Sequence, residues 1–70
     1  MATLRELREL AILTQAELAQ KIGVSTTSIS HWETGSKRPR PTHIRKLAAA
    51  LGVTAQEILA AIKETMTTRK

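Results

Sequence analysis

The sequence predicts an all-α fold, a single compact domain of five short helices. Three observations carry the prediction. The chain has 70 residues with one Trp and neither Phe nor Tyr, so its core must be assembled from Leu, Ile, Val and Ala, side chains that suit closely packed helices better than a strand sandwich. Apolar residues recur at three- and four-residue spacing along most of the chain. Thr or Ser ahead of these stripes, often with Glu three residues on, and Gly behind them mark where helices begin and end. So short a chain cannot fill a second core, which limits it to one domain.

Thr3 and Glu6 have capping-box spacing, so a first helix starts after Thr3, places Leu4, Leu7, Leu10 and Ala11 on one face and ends near Ile12. A second starts after Thr14, whose hydroxyl can accept from first-turn amides while Glu17 reaches back, and it buries Leu18, Ala19 and Ile22. Gly23 closes it, because glycine enters the left-handed region without a Cβ penalty. Val24 packs into the corner, and Ser25 caps a third helix that runs to Glu33 or Thr34 before Gly35. Pro41 suits the first position of a fourth helix, where a missing amide hydrogen costs nothing, and Ile44, Leu47, Ala48 and Leu51 form its inward stripe up to Gly52. Thr54 and Glu57 open a fifth helix with Ile58, Leu59 and Ile62 apolar. The core is expected over residues 4–62, with a frayed tail from Thr65 to Lys70.

The formal net charge is +5, which makes a polyanion a plausible partner. Residues 37–46 hold Lys37, Arg38, Arg40, Arg45 and Lys46 without an acid, whereas the first two helices balance Arg5, Arg8 and Lys21 against Glu6, Glu9 and Glu17. The excess is thus concentrated just after the third helix, although a solvated basic loop would look the same in isolation. The chain has no cysteine, which excludes a disulfide framework and a thiolate zinc site and is compatible with a reducing cytosol. With two histidines and no clustered carboxylates, a metal site is not expected. Neither histidine lies beside a nucleophile-and-acid arrangement and no phosphate-cradling Gly loop occurs, so no catalytic residue, cofactor or enzyme activity is read here. The amino end mixes Arg5, Glu6, Arg8 and Glu9 with leucines and no apolar run approaches a membrane span, which points to a soluble, unprocessed cytoplasmic protein.

The stretch from Gln15 to Gly35 carries most of the functional information. At 100° per residue, Thr26, Thr27, Ser30, His31 and Thr34 fall within roughly 0–140° of the third helix, and Ser28, Ile29, Trp32 and Glu33 within roughly 200–340°. One side can dock on neighbouring helices. The other consists of short polar groups able to enter a major groove and exchange hydrogen bonds with base edges. Any surface helix has a polar exterior, but an ordinary one usually carries Lys, Glu or Arg, and this one does not. Two short helices joined by a Gly-containing turn, the second hydroxyl-rich and followed by Lys and Arg, are how a helix-turn-helix presents one helix to DNA and backs it with phosphate-binding charge.

Many spaced positions agree with one family. Arg8, Thr14-Gln15-Ala16-Glu17-Leu18-Ala19, Ile22-Gly23-Val24-Ser25, Ile29-Ser30, Trp32-Glu33-Thr34-Gly35, Pro39, and Leu47-Ala48 through Leu51-Gly52-Val53 together resemble the Cro/phage-repressor (XRE-type) helix-turn-helix family, over about Leu4 to Ile62. The resemblance implies a five-helix domain of the phage-repressor type with its helix-turn-helix at helices two and three. It implies that Gln15 holds a DNA phosphate, beside a helix amino terminus that already attracts anions. It makes Thr26, Thr27 and His31 base readers, although His31 reads equally well as a solvated histidine. Ser30 and Thr34, on the same face, are placed to reach sugar or phosphate. Lys37, Arg38 and Arg40 fall in the loop that follows the DNA backbone, with Arg40 a candidate for a narrowed minor groove. Glu33 and Arg8 match a partly buried ion pair between helices one and three, Trp32 is a packing residue, and His43 reads as a surface residue or phosphate neighbour.

Three departures stand out. Ile12 occupies a position where the family often has Gly or a residue tolerant of positive φ, so a different exit from the first helix is expected. Arg40 replaces a small capping residue ahead of Pro41. Thr26 and Thr27 replace longer side chains capable of bidentate base contacts, so direct readout leans on thymine methyls and water.

A single motif of this size covers few base pairs, and most relatives bind as symmetric pairs reading half-sites roughly 34 Å apart. A homodimer is therefore expected, with Ala61, Ile62 and Met66 of the fifth helix as its candidate surface. The reading that results is a sequence-specific regulator of transcription that binds double-stranded DNA, a repressor acting by occupying its operator. Two alternatives remain open: an antitoxin that binds both operator and toxin, and a protein-interaction module using the same fold without DNA contact.

Overall fold

The computed structural model describes the backbone of residues 2–68 and the side chains of residues 2–65. Among the described residues there are five helices and no strand: α1 Leu4–Leu10, α2 Gln15–Ile22, α3 Thr26–Thr34, α4 Pro41–Leu51 and α5 Ala55–Thr68. Their starts follow from local hydrogen bonding. Thr3 with Glu6 and Thr14 with Glu17 form complete capping boxes, and Thr54 with Glu57 repeats the exchange at 3.0 and 3.2 Å. Each satisfies amides that the first helical turn leaves without partners. The Ser25 hydroxyl accepts from the Ser28 amide at the start of α3. Gly23, at φ +77°, turns the chain between α2 and α3, and its amide donates to the Ala19 carbonyl at 2.9 Å.

The core lies where all five helices converge. Leu4 of α1, Leu18 of α2, Ile29 of α3, Leu47 of α4, and Ile58 and Ile62 of α5 are its fully buried side chains. Burying each contributes about 1.5–3 kcal/mol. Val24, as expected, packs against this cluster from the α2–α3 corner. α3 packs against α1, α2 and α5, which covers its inner side and leaves the other side free.

Three expectations need correction. α1 ends at Leu10, and its exit does not differ as expected, because Ile12 itself takes the left-handed conformation at φ +59° while 85% exposed. The segment expected as a tail begins inside a helix: α5 continues to Thr68, and Thr65 is buried with its hydroxyl donating to the Ala61 carbonyl at 3.0 Å. Residues 69 and 70 of the expected tail lie outside the described residues. Two of the three residues assigned to a dimer surface on α5 are not at the surface. Ala61 and Ile62 are each 1% exposed, because this side of α5 closes the chain's own core; the Met66 side chain lies outside the described residues.

Candidate nucleic-acid interface

The two sides of α3 separate as the helical arrangement requires. Ile29 and Trp32 are buried at 0% and 6% exposure. Thr26, Thr27 and Thr34 are exposed on the opposite side, and Ser30 and His31 are half-buried beside them. The hydroxyl of Thr34 has local work: it donates to the His31 carbonyl at 3.3 Å and pairs with the Ser36 hydroxyl at 3.0 Å, closing the end of α3. Thr26 and Thr27, in the first turn, therefore present the least encumbered hydroxyl and methyl groups of this side.

Beneath this helix a polar network ties α1, α2 and α3 together. Arg8 donates through Nε to Glu33 Oε2 at 2.5 Å and through Nη2 to Oε1 at 3.2 Å, and its Nη1 reaches the Leu13 carbonyl at 2.9 Å. The two side chains are 11% and 4% exposed, so this is the ion pair anticipated between helices one and three, forked and largely desolvated. The Glu33 carboxylate holds the Arg8 guanidinium above its ordinary pKa, outweighing the opposing effect of burial.

Gln15, the first residue of α2, enters the same network: its Nε2 donates to Glu33 Oε1 at 2.9 Å. An amide nitrogen carries two hydrogens, so one is committed to Glu33 and the second remains for an acceptor outside the fold. Gln15 is half-buried and held by a carboxylate whose own charge Arg8 neutralises. That pairing limits the repulsion Glu33 would otherwise exert on a phosphate approaching Gln15.

Lys37, Arg38 and Arg40 are exposed in the connection between α3 and α4, which the buried Pro39 anchors. Arg40 is the N-cap of α4 and makes no side-chain capping bond, with Pro41 following it. Its guanidinium is thus not spent on the helix it precedes.

Sequence reasoning missed two features. The bond from Gln15 to Glu33 spans 18 residues and has no local signature. His43 is not simply a surface group: its ring lies 5.2 Å from that of Trp32 at a 37° tilt, and its Nδ1 is buried without a hydrogen-bond partner. The only advance signal was that both residues fall near the inner edge of their helices. Among the described residues no group of three or more His, Asp or Glu side chains could hold a metal ion, and no helix is long and apolar enough to cross a membrane.

Comparison with known proteins agrees with this geometry. The sequence model of the helix-turn-helix family matches residues 4–58. Over 59 residues the chain is 44% identical to the uncharacterized HTH-type transcriptional regulator RghRB of Bacillus subtilis (strain 168), covering 83% of this chain and 42% of that protein. Over 56 residues it is 38% identical to the HTH-type transcriptional activator BcrR of Enterococcus faecalis, covering 80% of this chain and 28% of that protein. The chain thus spans less than half the length of these curated relatives.

Proposed function

This chain belongs to the Cro/C1-type helix-turn-helix family, and from that premise we propose that it is a transcriptional regulator that binds duplex DNA in a sequence-dependent way. The reading rests on one observation: α3 buries Ile29 and Trp32 while turning outward a side of short polar residues free of formal charge. Such a side fits a groove floor without the desolvation cost that a row of carboxylates or ammonium groups would carry there. Thr26, Thr27 and His31 meet base edges, Ser30 and Thr34 meet the sugar-phosphate edge, Gln15 donates its remaining amide hydrogen to a phosphate, and Lys37, Arg38 and Arg40 follow the backbone. Two copies read a two-fold symmetric operator, and occupancy of that operator represses by excluding polymerase. The family is one of DNA-binding regulators, and no role in this scheme calls for catalysis.

Selection of bound sites from a random oligonucleotide pool tests the reading. A recovered inverted repeat with half-site centres about 10 base pairs apart is expected. Thr27→Ala should relax the preference at one position of each half-site by about 1 kcal/mol, the low end for a single base position, whereas Gln15→Ala should weaken binding to all sequences alike. A selected profile left untouched by Thr27→Ala would overturn the assignment of the reading side, and failure to enrich any sequence would overturn sequence-dependent binding altogether. A promoter carrying the recovered site should fall silent when the protein is supplied, and activation there would refute the repressor assignment.

A further inference from the structure

The three members of the polar network beneath α3 are not chemically equivalent. A carboxylate only accepts hydrogen bonds, a guanidinium only donates them, and a primary amide does both. Glu33 accepts Arg8 Nε at Oε2, and its Oε1 is shared between Arg8 Nη2 at 3.2 Å and Gln15 Nε2 at 2.9 Å. Arg8 is further committed to the Leu13 carbonyl at 2.9 Å. Gln15 is the open end of this chain of bonds: half-buried at the start of α2, it meets the network on one side and solvent on the other. Its amide has two ends that differ. Turned over, it would set its own Oε1 against Oε1 of Glu33, two acceptors with no hydrogen between them. Only the observed orientation satisfies both groups. A long side chain is thereby held in one arrangement before any partner arrives, and it has less freedom to lose on binding. The bond also crosses from α2 to α3, so the amide follows the placement of α3.

We propose, resting on the phosphate contact proposed for Gln15, that Glu33 is a positioning residue for DNA binding. Paired with Arg8, it turns the Gln15 amide and fixes it, so that the second N–H of Nε2 meets a phosphate in register with the outer side of α3. Glu33 itself touches no part of the DNA: its side chain is 4% exposed, and it acts through Gln15. Arg8 has two tasks in this arrangement. It supplies the counter-charge that a buried carboxylate needs, and it offsets the repulsion between that carboxylate and the approaching phosphate. The ion pair is therefore part of the binding apparatus as well as of the fold.

A double-mutant cycle on duplex binding separates positioning from stability. Arg8→Met with Glu33→Leu removes the acceptor of the Gln15 bond while leaving net charge unchanged and no buried charge unpaired. Affinity for one labelled duplex at fixed salt is measured by fluorescence anisotropy for the wild type, this pair, Gln15→Ala and their combination, with circular dichroism checking that each is folded. The pair should weaken binding about 3- to 10-fold. In the Gln15→Ala background it should cost nothing further. Should the pair not fold, Glu33→Gln takes its place: Arg8 claims the one oxygen of the new amide, so an NH2 group faces Gln15, turns its amide over and displaces the donor. Equal losses in both backgrounds would mark a structural effect and overturn the positioning role. NMR of the Gln15 side-chain amide tests the geometry without DNA. Its two hydrogens should be well separated in the wild type, one of them slow to exchange, and should approach the values of a solvated glutamine in the variant; solvent-like values in the wild type overturn the proposal. Should the NMR show the bond while Gln15→Ala binds DNA as the wild type does, the phosphate contact of Gln15 is the part that fails, and the positioning role falls with it.

Discussion

Arg8 joins three segments of the chain through one guanidinium: α1, on which it sits, the Leu13 carbonyl ahead of α2, and Glu33 on α3. Because Glu33 also holds Gln15, Arg8 sets the placement of α3 and of the first residue of α2 from beneath them. Arg8→Met should cost about 3–5 kcal/mol of stability in urea denaturation, since it leaves a carboxylate buried without its counter-charge. Glu6 gives a pH prediction. It accepts the backbone N–H of Thr3 and, less importantly, a bond from the Thr3 side chain, and these hold its carboxyl below its ordinary pKa. A carboxyl depressed in the folded state contributes its full stabilisation above the unfolded pKa and loses it as pH falls through the folded value. Proton-monitored NMR should find Glu6 titrating at lower pH than in the Thr3→Pro variant, which lacks both the amide hydrogen and the hydroxyl, and equal titration points would refute the coupling. The ion pair was legible because family resemblance and the helical angle of Glu33 agreed. The bond from Gln15 was not, since it depends on how two helices dock.

At the level of the helices, local chemistry made most boundaries legible. Thr3, Thr14, Ser25 and Thr54 cap the helices they precede, and Pro41 sits at the first position of α4. What could not be read was which apolar residues the tertiary arrangement covers. Ala61 and Ile62 satisfy a helix-face pattern whether that face meets the core or a second subunit, and only the packing of α5 decides. The turn after α1 was misread because propensity argued against a left-handed isoleucine, whereas the Leu13 amide turns back to the Arg8 carbonyl at 3.3 Å, a helix ending that takes the left-handed conformation at the residue before it. Ile12→Gly should therefore stabilise the chain by about 1 kcal/mol, raising the melting temperature by about 5 °C, and a lower melting temperature would argue against strain. Arg40→Ser should likewise stabilise α4 by about 1 kcal/mol through a new capping bond, while weakening DNA binding in a titration.

Taken whole, the molecule places the outer polar side of α3, an anchored glutamine and a basic connection on a small support of five helices. If binding is dominated by phosphate contacts, the logarithm of affinity should fall linearly with the logarithm of salt concentration, and Arg38→Ala should reduce the slope by about one. A slope near zero in such a titration would favour a partner other than DNA. Overall architecture was readable from composition because a chain with so few aromatic residues has few ways to fill a core.

The stacking of Trp32 on His43 gives this protein an intrinsic optical gauge. With no Phe or Tyr and one Trp, all of its indole emission arises at the seam between α3 and α4, sheltered from anything that docks on the opposite side of α3. A duplex recognised by an unyielding scaffold will leave that signal constant. A wavelength or intensity change on adding oligonucleotide will instead mean that α3 has shifted in its socket.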